Sequence, residues 1–333
     1  MANLKHWIPQ LANQRILVVG DLILDEYLTG KTTRLSREAP IPVLEFESRQ
    51  LIPGGAANPA ANIVALGSTA IQIGIIGSDT NATNIRQVLQ ARGIETDNLI
   101  TDSTRPTTVK TRIMAHMGLR FPQQVARLDT LSREPINPVV ERNVRAAIDE
   151  QIPLVKAVLL SDYDTGLLTP TLVSTIRKLA AKTHILLTAD AQGKLEKYKG
   201  FGVVKCNADE AADYLRRHLE SNKDFAQAAQ ELCQSLQLTH GMVITRGADG
   251  ATVCEASGAV THCPAPAVTD VYDTVGAGDT TIAVLTLAVA AGAPLAESTI
   301  LANYASGLVV RRVGNYTPSP DELAWAFDTW GGN

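Results

Sequence analysis

Short unbroken apolar runs recur along the chain, each closed by a small or polar residue and most followed by a stretch with helical spacing. Arg15-Ile-Leu-Val-Val-Gly20 is the first, and Ala70–Ile76, Ala157–Leu160, Ile185–Asp190, Val203–Cys206 and Met242–Thr245 read the same way. Such runs mark strands buried on both faces. Between them the spacing predicts helices over Pro59–Leu66, Asn81–Arg92, Pro138–Glu150 and Pro170–Lys182. Gly67 and Gly93 stand where a left-handed C-cap is needed, and proline stands at the helix starts. Strand–helix alternation from Gln14 to Thr245 predicts an α/β fold, a doubly wound, mostly parallel sheet flanked by helices on both faces. A hairpin over Thr252–Cys263 follows, then two long apolar helices at about Gly276–Ala291 and Leu295–Arg311.

Two segments depart from this alternation. Leu28–Ser48 and Thr107–Asp129 show period-two patterning, as in Pro42-Val-Leu-Glu-Phe-Glu47, and predict a small second sheet. With flanks it covers about 22–50 and 103–130, and it is expected to act as a lid over the carboxyl ends of the parallel strands, where open α/β sheets bind ligands. Residues 1–333 read as a single domain carrying that lid. Between Ser103 and Arg133 the lid holds Arg105, Lys110, Arg112, Arg120, Arg127 and Arg133 against Asp129 alone. That excess fits either a solvated face or cations that hold an anionic substrate.

Charge and composition narrow the partners. Thirty Lys and Arg against 34 Asp and Glu leave a formal charge of −4, which argues against nucleic-acid binding through a general basic field. The longest apolar run, Ile282–Ala293, is too short to span a bilayer, so no membrane partner is expected. No signal peptide is visible at the start, and Cys206, Cys233, Cys254 and Cys263 show no CxxC spacing. They read as small core residues of a protein in a reducing compartment, the cytoplasm.

The chemistry concentrates in Asp273-Thr-Val-Gly-Ala-Gly-Asp279, immediately before an apolar helix. Gly276 and Gly278 permit a tight turn with bare N–H groups, and the helix N-terminus adds about half a positive charge, which together make an anion hole. A carboxylate there cannot bind phosphate. Asp279 is therefore expected to accept a proton from a nucleophile approaching a phosphoryl group, with nearby N–H groups keeping it ionised. The plainer alternative is a helix-capping Asp after a glycine turn.

Asp273–Asp279 resembles the C-terminal signature of the ribokinase-like (PfkB) family of ATP-dependent sugar kinases, and Pro53-Gly-Gly-Ala-Ala-Asn58 resembles its N-terminal signature. The resemblance covers nearly the whole chain. It implies a ribokinase-like fold, with Asp279 as base and the backbone of Gly276, Ala277 and Gly278 as anion hole. It also implies a sugar pocket lined by Asp25, Gly54, Gly55 and Asn58. Asn207 and Glu210, in Asn-x-x-Glu, resemble residues that organise Mg²⁺ through its waters, although the same spacing suits a capping box. Thr245, Gly247 and Gly250 look like the strand-end turn near the nucleotide, and Asn303 falls where a long helix passes the adenine. A monovalent cation beside Asp273 and Val275 and a homodimer formed through the lid are common in relatives.

Arg34–Val43, Pro53–Asn58, Gln123–Asp129 and Leu160–Tyr163 together resemble the branch that phosphorylates C1 of D-glycero-β-D-manno-heptose 7-phosphate. A sugar that already carries phosphate needs cations, and Arg34, Lys110, Arg112 and Arg127 are the candidates, with Asp162 at a strand end over the sugar. The chain departs from that branch at Asp164-Thr165-Gly166, where Ala-Lys-Gly is usual and supplies a cation, and in a longer lid turn over His116–Pro122. A fructose, ribose or nucleoside kinase and a non-enzymatic sugar or nucleotide sensor remain alternatives. A nicotinamide dehydrogenase is disfavoured because no GxGxxG follows the first strand.

Overall fold

The structure is a computed structural model that describes residues 4–118 and 122–331, so the lid-turn residues Leu119, Arg120 and Phe121 lie outside the description. After a 3-10 helix over Leu4–Leu11 the chain enters β1 (Arg15–Gly20), then runs through two long strands, β2 (Leu22–Leu35) and β3 (Pro42–Gly55), into α1 (Ala57–Ala65). It continues as β4 (Thr69–Ile76), α2 (Thr80–Gln90), β5 (Leu99–Thr101), β6 (Val109–His116) and β7 (Gln123–Thr130). Next come α3 (Pro138–Gln151), β8 (Ala157–Asp162), α4 (Pro170–Thr183), β9 (Leu186–Ala191), β10 (Val203–Asn207), α5 (Ala208–Leu215) and α6 (Asn222–Ser235). The last elements are β11 (Gly241–Thr245), β12 (Ala251–Glu255), β13 (Val260–Cys263), α7 (Ala277–Ala290), α8 (Leu295–Val309) and α9 (Pro320–Trp330).

Nine strands form the main sheet in the order β13-β12-β11-β10-β9-β8-β1-β4-β5. The ladders from β11 to β5 are parallel, and only β12 and β13 run antiparallel, as the predicted hairpin. Successive strand residues serve opposite layers. Ile16, Val18, Ala157 and Leu159 join α1, α2, α7, α8 and α9 on one side. Leu17, Val19, Val158 and Leu160 join α3, α4 and α6 on the other. Both faces are therefore covered, which is why these strands read as unbroken apolar runs. From β1 the chain moves to β4 and β5 on one side, whereas β8 to β11 extend on the other, so the strand order reverses between β1 and β8. Ligands of open α/β sheets bind in the crevice at such a reversal, beyond the carboxyl ends of the strands.

The predicted second sheet is present, with order β3-β2-β6-β7. It is mixed, because β2 runs parallel to β6 and antiparallel to β3. Its root is buried over Leu22–Asp25 and Ile52–Gly55, and its far end and all of β7 are exposed. The base of this sheet stands beside the crevice while its distal half projects into solvent. The four cysteines are free and buried, as expected of core residues. No helix among the described residues is long and apolar enough to cross a membrane.

Candidate active site

Two helix N-termini meet at the crevice. α7 is buried around its whole circumference from Asp279 to Val289, as its even hydrophobicity requires, so its first turn is carried into the interior. Gly276 precedes it at φ 84°, a left-handed conformation that suits glycine. A Cβ there would also stand 2.8 Å from the Asn58 amide nitrogen. Asp279, the third residue of α7, is buried, and its carboxylate accepts one hydrogen bond on each oxygen. Asn58, in the first turn of α1, donates to Oδ2 at 2.8 Å, and Tyr163, just after β8, donates to Oδ1 at 2.6 Å.

Burial is the largest influence on Asp279 and outweighs these donors, raising its pKa to about 6, with the Asp190 charge adding to the rise. The expectation that surrounding N–H groups keep it fully ionised is corrected here. Its donors are two side chains, and desolvation holds the group near the pH at which it titrates. A pKa close to operating pH is what an efficient general base needs.

Asn207, Glu210, Thr245, Gly247, Gly276, Gly278 and Asp279 line one polar cavity of about 560 Å³. Thr245, Gly247, Gly250, Ala277, Gly278 and Asn303 line an adjoining, more apolar cavity of about 500 Å³. The shared residues Thr245, Gly247, Thr274 and Gly278 make the two continuous. Asn303 donates to the carbonyls of Cys263 and Pro264 at 3.0 and 3.2 Å, and so fixes the loop that forms the apolar wall. Asn207 and Glu210 realise both readings of their spacing. Their capping box is formed, with bonds of 2.7 and 2.8 Å, and both still line the polar cavity. No group of three acidic, histidine or cysteine side chains among the described residues could cage a metal ion. Asn207, Glu210 and Asp190 place oxygen donors along one wall, a set that fits a hard ion keeping most of its waters. Asp273 accepts from the amides of Val275 and Gly314, at 3.0 and 2.9 Å, and closes its own loop.

Asp25 sits at the root of the second sheet, beside Gly54, where a Cβ would overlap its carboxylate. Its oxygens accept from Arg112 at 2.5 Å and from Asn315 at 2.9 Å. A carboxylate has about four acceptor positions, so these two bonds leave acceptor capacity unused. Lys110 lies 5.2 Å above the Tyr163 ring, and burial lowers its pKa. Gly55, at φ 54°, serves the backbone, since its Cβ position is filled by Ile23 and the Asp21 carbonyl.

Three expectations change. Asp162 does not face the cavity; Lys197 and Tyr198 hold its carboxylate in the interior, because a buried charge must be paired. Arg127 is bound through two nitrogens to Asp129 at 2.9 Å and lies across the strand pair from Arg112. Arg34 is exposed, nine residues along β2 from Asp25, a separation of about 30 Å at strand rise.

Sequence reasoning also missed four residues. Lys205, buried in β10, donates to both oxygens of Asp190 at 2.9 Å, and its Nζ lies 3.0 Å from a Cβ built on Gly278. Burial disfavours its charge, but Asp190 wins and raises its pKa. It supplies a cation at the anion hole despite the change at Asp164-Thr165-Gly166. A lysine inside an otherwise apolar strand was the available signal. Asn315 leaves its Oδ1 buried without a partner, next to Gly276. Tyr163 carried no signal beyond its place at a strand end.

This arrangement, a tunable carboxylate at a glycine-bracketed helix start between a polar and an apolar cavity, agrees with comparisons with known proteins. Residues 13–322 match the pfkB family carbohydrate kinase pattern. The chain belongs to that family. It is 39% identical over 312 residues to the bifunctional protein HldE of Helicobacter pylori strain G27, covering 93% of this chain and 66% of that protein. It is 36% identical over 308 residues to the HldE of Geobacter sulfurreducens, covering 92% and 61%. The chain thus spans roughly two thirds or less of these relatives. Among solved structures it resembles Escherichia coli phosphofructokinase-2 with substrates and products (TM-score 0.76, 20% identity, 96% of this chain and 100% of that one). It also resembles Arabidopsis thaliana ribokinase with ribose and ATP (0.72, 18%, 95% and 98%). The expected ribokinase-like fold is present, and membership makes this chain a carbohydrate kinase.

The raised pKa has a stability consequence. Lifting a carboxyl from 3.8 to about 6 withdraws about 3 kcal/mol of folding stability as pH rises through 6. Asp279→Asn should therefore unfold at a higher temperature than the parent at pH 8, with the gap closing towards pH 4. Calorimetry at the two pH values checks this, and an equal or larger gap at pH 4 contradicts the assignment.

Proposed function

We propose that this kinase transfers the γ-phosphoryl group of ATP to C1 of D-glycero-β-D-manno-heptose 7-phosphate, giving the 1,7-bisphosphate. The observation that carries the reading is Asp279, a base poised near neutral pH at the mouth of the Gly276–Gly278 anion hole, with Asp25, Lys110 and Arg112 opposite. The adenine takes the apolar cavity by Thr245, Gly250 and Asn303, and the phosphates run through the polar one. The sugar takes the space bounded by Asp25, Gly54, Asn58 and Asn315. Lys110 and Arg112 receive its phosphate, a role that a neutral sugar would not require. The similarity to HldE over 93% of the chain supports the heptose branch.

Asp279 accepts the proton of the attacking hydroxyl, whose oxygen bonds to the γ-phosphorus as the bond to the β-phosphate oxygen breaks. The amides of Gly276, Ala277 and Gly278 and the remaining N–H of Lys205 stabilise charge on the transferred oxygens, which is most of the work in phosphoryl transfer. Asn207 and Glu210 are the residues that would hold Mg²⁺, which would supply charge neutralisation at the phosphates.

Two copies pair through their second sheets, in the cytoplasm. The exposed apolar side chains Leu35, Ile41 and Phe46 towards the sheet's far end, and Leu128 on β7, support this. Light scattering should give the mass of two chains, and the mass of one chain contradicts the pairing.

Asp279→Asn should keep nucleotide binding and lose at least about a hundredfold in turnover. In the parent, turnover should rise with pH through about 6, because only the ionised base acts. Near-normal turnover in the variant removes the base. A panel of sugars and sugar phosphates scored by ADP release identifies the acceptor. Lys110→Ala should raise KM for phosphorylated sugars far more than for neutral ones, and equal effects contradict its role.

A further inference from the structure

Each oxygen of Asp279 has one donor, but the two donors are not equally fixed. Asn58 is locked. Asn62 donates to its side-chain oxygen at 3.3 Å and its carbonyl at 3.0 Å, and Thr280 donates to Asn62 at 2.9 Å. Both asparagines are fully buried, so the Asn58 amide nitrogen has no other direction to face. Tyr163 is anchored differently. Asp21 accepts from the backbone N–H groups of Tyr163, Thr165 and Leu167 at 2.9, 3.2 and 3.3 Å, and Arg105 donates to the Thr165 carbonyl at 3.0 Å. The main chain is thereby pinned, yet Tyr163 keeps some exposed surface, unlike either asparagine, and lines the polar cavity. Its ring lies under Lys110 of the second sheet.

The acceptor hydroxyl must reach Asp279, and Oδ1 is the oxygen whose donor can move. We infer that the Tyr163 hydroxyl occupies Oδ1 in place of the acceptor hydroxyl while the sugar site is empty, and so withholds the base from water. This rests on the kinase reading above. The suppressed step is hydrolysis, in which a water oxygen bonds to the γ-phosphorus, the bond to the β-phosphate oxygen breaks and the water proton passes to Asp279 and then to solvent. A sugar phosphate anchored at Asp25, Arg112 and Lys110 brings its hydroxyl beside Oδ1 and draws Lys110 from the ring, so that Tyr163 yields. Water has no such anchor. Burial, and then the Asp279 charge, keep the tyrosine protonated and therefore a donor throughout.

Tyr163→Phe removes one oxygen and leaves the ring. ADP release is measured with and without the best sugar acceptor, alongside the parent, with sugar phosphate quantified in the same samples. The fraction of ATP consumed without sugar transfer should rise by about tenfold or more, the lower end for losing a hydrogen bond to a charged group. The acid limb of the sugar-dependent rate should also move to higher pH, because a donor that favours the carboxylate is gone. A merely structural role would change both rates together, and an unchanged fraction with an unmoved acid limb overturns the inference. Should the variant not fold, a parent crystal containing the sugar phosphate decides: the acceptor hydroxyl on Oδ1 with Tyr163 displaced supports the inference, and Tyr163 still at 2.6 Å with the acceptor elsewhere overturns it. A parent that releases no additional ADP with any sugar instead defeats the kinase reading itself.

Discussion

The site depends on one buried carboxylate at the head of a helix that has no polar face. α7 can be stable only inside the protein, and Asp279, three residues into it, is carried there with it. An unpaired ionised group at that depth would be costly. Asn58, from the first turn of α1, and Tyr163, from the end of β8, make the position tolerable without lowering the pKa to the ordinary range. Elements from both sides of the strand-order reversal thus converge on two oxygen atoms. The residual destabilisation is what keeps the group reactive, in line with the general opposition between stability and activity at such sites.

The parallel sheet was legible because a strand covered on both faces leaves an unbroken apolar signature. Asp279 was legible because glycines beside a carboxylate at a helix start make little sense as packing. Two helices, α6 and α9, were not identified, although Ser221-x-x-Asp224 and Ser319-Pro-x-Glu322 carry capping signatures that the structure realises, whereas the start of α5 was legible as the capping box of Asn207 and Glu210. Lys205 stood out only as a lone cation in an apolar strand, and its partner Asp190 lies near the end of a different strand, a pairing visible only in three dimensions. Asp162 and Tyr163 exchanged roles for a similar reason: the sequence shows that a strand ends there, but not which of two adjacent side chains turns inward.

The second sheet shows where patterning stops being informative. Alternation marks its strands along their full length but cannot distinguish the buried root, which holds Asp25, Lys110 and Arg112, from the exposed end, which holds Arg34. The cations are therefore unequal: one neutralises Asp25, one covers Tyr163, one is bound to Asp129 and one lies far along β2. The change at Asp164-Thr165-Gly166 falls in a turn whose Asp164 is exposed, with φ 54° and its amide bonded to Asp162, and whose Thr165 is buried with its amide on Asp21. The cation at the anion hole comes from β10 instead.

The most direct examination of this account is a crystal of the enzyme with ADP, aluminium fluoride and the sugar acceptor. The fluoride mimic of the transferring group should lie against the amides of Gly276, Ala277 and Gly278, with the attacking hydroxyl within hydrogen-bonding distance of the Asp279 carboxylate. A mimic lying away from these amides, or an acceptor hydroxyl held by another base, would contradict it.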